Sequence, residues 1–182
     1  MPNTSSTRTI ADFVSELQRH GLEWLARTHD CPVLIGGALD ELSESGFETI
    51  FADTGKIPVR RGQLVELTTR ADILSALVFS IRKRPGGPFA NQIGIGRARN
   101  TDVWVPSPEI SKYHAYVSRS PDGAYTITDA ESANGTIVDG HTLAPLETRE
   151  LLDDSSVQLG PHPFRFRLPR AFLEIVQQAA RE

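Results

Sequence analysis

Between residues 77 and 168 the chain is a succession of short strand-like runs broken by turn residues, and this pattern narrows the fold more than anything else in it. Phe79 and Ile81 alternate with polar neighbours, and a turn cluster follows at Arg84-Pro85-Gly86-Gly87-Pro88. Strands are then expected at 92–96, 102–105, 115–119, 124–128, 136–138, 156–159 and 164–168. Pro121-Asp122-Gly123 and Asp139-Gly140 are hairpin signals between them. Short strands with a turn about every 8–12 residues describe an antiparallel sandwich or barrel.

The two ends read differently. Ile10, Phe13, Val14, Leu17, Trp24 and Leu25 recur at helical spacing behind a cap-like Thr9 and Asp12, which predicts a helix over about 10–28, bent at Gly21. Short apolar pieces follow at 33–35, 47–51 and 64–67, separated by Gly and Asp and read as strands, while 71–77 is a helical turn or a connector. After Pro169 the spacing of Phe172, Ile175 or Val176, and Ala179 is again helical. The expected organisation is therefore an N-terminal extension (1–75), a β domain (76–168) and a C-terminal helix (169–182). The terminal helices are expected to pack together beside the β domain.

Within the β region, three turns carry groups suited to an anion. Gly96-Arg97 ends one run, Ile110-Ser111-Lys112-Tyr113-His114-Ala115 lies before another, and Ser132-Ala133-Asn134-Gly135-Thr136 opens a third. Arg97 offers a planar, permanently charged fork, Ser111 a compact hydroxyl and Lys112 a point charge. Asn134 has an amide that can both donate to and accept from a peptide backbone. A phosphorylated side chain brings about −1.5 to −2 charges and three strong acceptor oxygens. Hydrogen bonds to charged groups are worth roughly 1.5–3 kcal/mol each, so two or three decide whether phosphate is required.

The order of these residues, with Asp129 and with Leu159-Gly160 ahead of Phe164 and Phe166, resembles the forkhead-associated (FHA) domain, a β-sandwich that binds phosphothreonine peptides. The resemblance covers about residues 76–168. It implies that Arg97 and Ser111 contact phosphate, that Lys112 assists, and that Asn134 holds the peptide backbone. Gly96, His114, Gly135 and Thr136 would support the loop geometry. Two departures stand out. Ala133 occupies a position where many relatives have Thr, whose hydroxyl adds a phosphate contact, and Asp153-Asp154-Ser155 replaces a Gly-Asp turn.

The expected function is thus a non-catalytic recognition module, docking onto a threonine-phosphorylated protein or peptide downstream of a Ser/Thr kinase. The alternative is a phosphate-independent scaffold built on the same sandwich, towards which only Ala133 leans. An enzymatic unit in residues 1–75 has little support: His29, Asp30 and Cys31 are adjacent, and adjacent residues rarely converge on one reacting atom. One cysteine and five scattered histidines show no metal-ligand spacing, so neither metal nor cofactor is expected. Gly94-Ile95-Gly96 opens like a dinucleotide loop, but Arg99 takes the place of a later glycine. A net charge of −4 gives no reason to seek nucleic acid. The longest greasy stretch, 73–81, is short of the about 20 residues a membrane helix needs, and no secretory signal is legible, so the expected location is the cytoplasm. The bland readings are a surface Arg97 paired with Asp102 or Glu109, a turn-capping Ser111, a solvated Lys112 and a core histidine at 114.

Overall fold

The computed structural model describes residues 7–37, 70–86 and 89–181. The apolar pieces at 47–51 and 64–67 lie outside the described residues. After the two-residue strand β1 (Arg8–Thr9), the Asp12 carboxylate accepts both the Thr9 N–H (2.8 Å) and the Thr9 hydroxyl (3.1 Å), capping helix α1 (Ile10–His20). The single helix expected over 10–28 is two. Gly21 adopts φ +82°, a left-handed conformation that an L side chain resists, and its N–H closes the last turn on the Leu17 carbonyl. Helix α2 (Leu22–Thr28) then begins directly after it.

The remaining elements are β2 (Val33–Gly36), α3 (Arg70–Ser75), β3 (Leu77–Ser80), β4 (Ile93–Gly96), β5 (Val103–Trp104), β6 (Ala115–Arg119), β7 (Tyr125–Asp129), β8 (Thr136–Val138), β9 (His141–Thr142), β10 (Thr148–Leu151), β11 (Ser156–Leu159), β12 (His162–Arg167) and α4 (Pro169–Arg181). They form two sheets, ordered β1-β3-β2-β12-β11-β8-β9 and β10-β7-β6-β4-β5. All pairings are antiparallel except β4 with β5. The architecture is the expected mainly-β sandwich with an α/β extension before it and a helix after it. The Asp139-Gly140 signal is a two-residue hairpin turn, with both residues at positive φ and Val138 paired to His141. Strands β9 and β10 were not expected. Both lie at sheet edges with mostly exposed polar residues, so they show no apolar alternation.

Two apolar cores share one sheet. The inner core lies between the sheets and contains Ile95, Ile110, Val117, Ile127, Leu159 and Phe166, all fully buried. The outer core lies between the larger sheet and the helices, where Phe13 of α1 meets Phe172 of α4 edge-on at 4.9 Å. Strand β2 serves both. Leu34 faces the inner core, while Val33 and Ile35 face the helices, which is why this segment is continuously apolar. It pairs with β12 on one side and β3 on the other, although it precedes residue 76 in the chain. Among the described residues no helix is long and apolar enough to cross a membrane.

Candidate functional site

Three loops at one end of the sandwich are tied together by hydrogen bonds, and the ties begin at Gly96. A Cβ built on Gly96 would lie 2.3 Å from the Lys112 carbonyl oxygen and 3.0 Å from that of Ser111. Only glycine allows this approach. It lets the Arg97 N–H donate to the Ser111 carbonyl (3.0 Å) and the Ala98 N–H to the Lys112 carbonyl (3.2 Å). From the other side, the Trp104 indole donates its Nε1–H to the Arg97 carbonyl (3.1 Å). The backbone under Arg97 is therefore clamped on both faces, while its side chain is exposed.

His114 joins the second loop to the third. Its Nδ1 accepts the Ser111 N–H (3.1 Å), so the proton resides on Nε2, which donates to the Gly135 carbonyl (3.0 Å). The ring is fully buried. Burial holds its pKa below the ordinary histidine value, against the opposing pull of the Gly135 carbonyl and of Asp129, so the neutral tautomer is the working form. The expected supporting role of His114 thus has a concrete geometry, and the histidine is a satisfied core residue.

The third loop is organised by Asp129, which is buried. Its carboxylate accepts the Ser132 N–H (3.0 Å), the Ser132 hydroxyl (2.6 Å) and the Thr136 hydroxyl (2.7 Å). Ser132 and Thr136 are consumed in this way and shape the loop from inside. Gly135 turns the chain at φ +77°, and its carbonyl also receives the Gly160 N–H (2.9 Å). The loop tip then meets the second loop twice: the Ala133 N–H donates to Ser111 Oγ (3.0 Å), and Asn134 Nδ2 donates to the Glu109 carbonyl (2.8 Å).

This places each expected residue. Arg97, Lys112 and Asn134 are exposed, Ser111 is half-buried, and Gly96, His114 and Thr136 are buried beneath them. Ser111 Oγ accepts from Ala133 but donates to nothing among the described residues, so its proton is available to a ligand. The carboxylates considered as partners for Arg97 are engaged elsewhere. Asp102 accepts from Lys83 Nζ (2.8 Å) and from the Arg84 and Gly94 N–H groups (2.9 and 2.8 Å). Its pKa is pushed up by burial but lowered on balance by those bonds and the Lys83 charge. The Glu109 carboxylate accepts from Ser107 (2.8 Å) and pairs with His162 (3.2 Å). Among the described residues, Arg97 and Lys112 take part in no ion pair. The supports that sequence reading missed are Trp104 and the Glu109 carbonyl. One is a backbone atom and the other an indole whose partner is a backbone atom, so no residue pattern signals them.

His29 faces Glu16 (3.1 Å) and Arg8, while Asp30 pairs with Arg82, so neither is directed at the buried Cys31. Among the described residues no group of His, Cys, Asp and Glu could hold a metal ion.

The family model of the FHA domain matches residues 93–160. No curated protein matches the chain. Solved structures similar to it include Mycobacterium tuberculosis EmbR in complex with a low-affinity phosphopeptide, at 26% identity and a TM-score of 0.39 over 43% of this chain. The match spans only 20% of the EmbR chain. The FHA domain of the CT664 protein from Chlamydia trachomatis is 19% identical with a TM-score of 0.45, covering 75% of this chain and 96% of that one. The N-terminal FHA domain of Saccharomyces cerevisiae Rad53p, in complex with a phosphothreonine peptide, is 18% identical with a TM-score of 0.41, covering 51% and 77%. The matched segment runs from the start of β4 to Gly160 and contains the Gly96, Ser111, His114 and Asn134 loops, so the similarity to the FHA domain falls on the stretch that carries the candidate site.

Proposed function

We propose that the three-loop site binds a phosphothreonine-containing segment of a partner protein, and that the chain acts as a non-catalytic recognition module downstream of a Ser/Thr kinase. The observation that carries this reading is the junction at Ser111. Its hydroxyl is oriented by the Ala133 N–H, and its carbonyl is bonded to the Arg97 N–H. A donor hydroxyl and a guanidinium are thus held on neighbouring backbone at the surface, with Lys112 one residue on. Arg97 and Ser111 would contact the phosphate and Lys112 would add charge. Asn134 would bond the partner's main chain, anchored through its own Nδ2 to Glu109. Ala133 removes one hydroxyl from such a site but leaves these four groups.

The test is fluorescence anisotropy with phosphothreonine peptides and their unphosphorylated twins, on the full chain and on Arg97→Ala. Phosphate-dependent binding is expected in the former and its loss, roughly hundredfold or more, in the latter, because two charged hydrogen bonds disappear. Thermal stability should barely change, since Arg97 is exposed and unpaired among the described residues. Equal affinity for the two peptides in the full chain would instead favour the phosphate-independent scaffold.

A further inference from the structure

The turn after β4 carries more positive charge than the one guanidinium that the proposed function uses. Arg99 is exposed two residues beyond Arg97, with its guanidinium carbon 5.1 Å from the centre of the Trp104 ring. The same indole holds the Arg97 carbonyl through Nε1–H (3.1 Å). Trp104 therefore supports two arginines at once, one backbone by its edge and one side chain by its face. Arg84 arrives from the segment after β3. Its N–H is fixed on the buried Asp102 (2.9 Å), and its Nη1–H donates to the Arg99 carbonyl (3.0 Å).

The turn beneath them is rigid. The buried Thr101 hydroxyl sits 2.7 Å from the Ala98 carbonyl and 3.1 Å from those of Gly96 and Val103. Arg97 and Arg99 thus stand on one locked turn, with Arg84 bonded to it from the neighbouring segment, in a protein whose net charge is −4. Asp102, three residues after Arg99, is buried against Lys83, and neither Arg97 nor Arg99 enters an ion pair among the described residues. Like charges fixed side by side repel, and an anion from outside relieves that repulsion.

We propose that Arg99 and Arg84 form a second anion subsite beside the phosphothreonine site, resting on the function proposed above. It takes a carboxylate or a second phosphate from the same partner segment. The side is given by the order of the ties: Asn134 meets Glu109, Ala133 meets Ser111, Ser111 meets Arg97, and Arg99 follows Arg97 on the far side of that order. The extra anion therefore binds on the flank of the phosphothreonine away from Asn134.

The experiment measures anisotropy of the full chain with a neutral-flanked phosphothreonine peptide, then with Glu or phosphoserine moved through each flanking position. Affinity should rise about fivefold for Glu, and further for phosphoserine, on one flank only, and the gain should shrink in high salt. The ratio of acidic-flanked to neutral affinity should fall towards one in Arg99→Gln and in Arg84→Gln, a readout that a general loss of binding leaves unmoved. Gain on both flanks alike, no gain, or a ratio that survives both substitutions overturns the proposal while the phosphopeptide function stands. If the neutral phosphothreonine peptide binds no better than its unphosphorylated twin, that function fails and this subsite with it.

Discussion

Gly96→Ala separates the two demands that the site makes on its backbone. The added methyl would sit 2.3 Å from the Lys112 carbonyl oxygen, 2.8 Å from its carbon and 3.0 Å from the Ser111 oxygen. All three are main-chain atoms, so no side chain can swing aside. Ordinary contact for such a carbon starts at about 3.5 Å, and the end of β4 must retreat by about 1 Å from residues 111 and 112. The Arg97 and Ala98 N–H bonds to those same carbonyls, now 3.0 and 3.2 Å, would stretch past bonding distance. Overpacking costs about 1–3 kcal/mol and each lost bond about 1 more, giving roughly 3–5 kcal/mol. For a chain of this size that lowers Tm by on the order of 10 °C.

Scanning calorimetry reads the stability, and phosphopeptide anisotropy well below the new Tm reads the site. Binding should fall by at least about tenfold even where the variant is folded, because Arg97 and Ser111 no longer share a frame. Gly135→Ala is the control. Its φ is +77° with no atom within 4 Å of a Cβ, so only left-handed strain of about 1–2 kcal/mol applies. A Gly96→Ala protein within about 1 kcal/mol of the parent, or one that is destabilised yet binds normally, would refute the argument that this contact couples the loops.

Three further outcomes follow from the same geometry. Deleting residues 1–75 should abolish cooperative folding, because β2 leaves the middle of a sheet. Burial of Val33, Leu34 and Ile35, each 5% exposed or less, is worth roughly 5–9 kcal/mol against a typical total of about 5–15, and circular dichroism melting of the fragment checks it. Burial keeps both His114 and His29 below the ordinary histidine pKa, so the unfolded chain binds protons first and stability should fall as pH drops below about 6.5, levelling once the folded histidines also titrate. Melting against pH should show that slope reduced in His114→Asn. Ala133→Thr, exposed beside the Ser111 hydroxyl, should tighten phosphothreonine binding by about fivefold through one more hydroxyl donor, at nearly unchanged Tm.

What local pattern encodes, the sequence disclosed. Ala115–Arg119 alternates inside and outside and is a strand with those bounds, and Asp139-Gly140 makes the turn that its chemistry demands. In the candidate site, Gly96 and His114 were legible because close backbone approach and a buried two-way hydrogen bond require those residue types, whereas the ligand roles of Arg97, Ser111 and Asn134 belong to the function proposed above. The bend read at Gly21 is there, and its positive φ makes it a full break between two helices. Two things were not legible. Strands β9 and β10 carry exposed polar residues at edges where nothing enforces alternation. The seat of β2 between β3 and β12 is a long-range pairing that a sequence window cannot contain.

The division between buried support and the exposed groups proposed to read the ligand follows from electrostatics. Asp129 accepts three hydrogen bonds, Asp102 accepts from a lysine and from backbone, and His114 uses both ring nitrogens, since a buried polar group left unpaired is costly. Arg97, Lys112 and Asn134 stand in water, where a spare donor costs little, and they keep capacity for a ligand. Substitutions in the first group should therefore cost stability and binding together, whereas substitutions of Arg97 or Lys112 should cost binding alone, and of Asn134 binding plus the small contribution of its tie to Glu109. A support that proved neutral to stability, or a reader whose loss unfolded the protein, would show that the line between frame and site had been drawn in the wrong place.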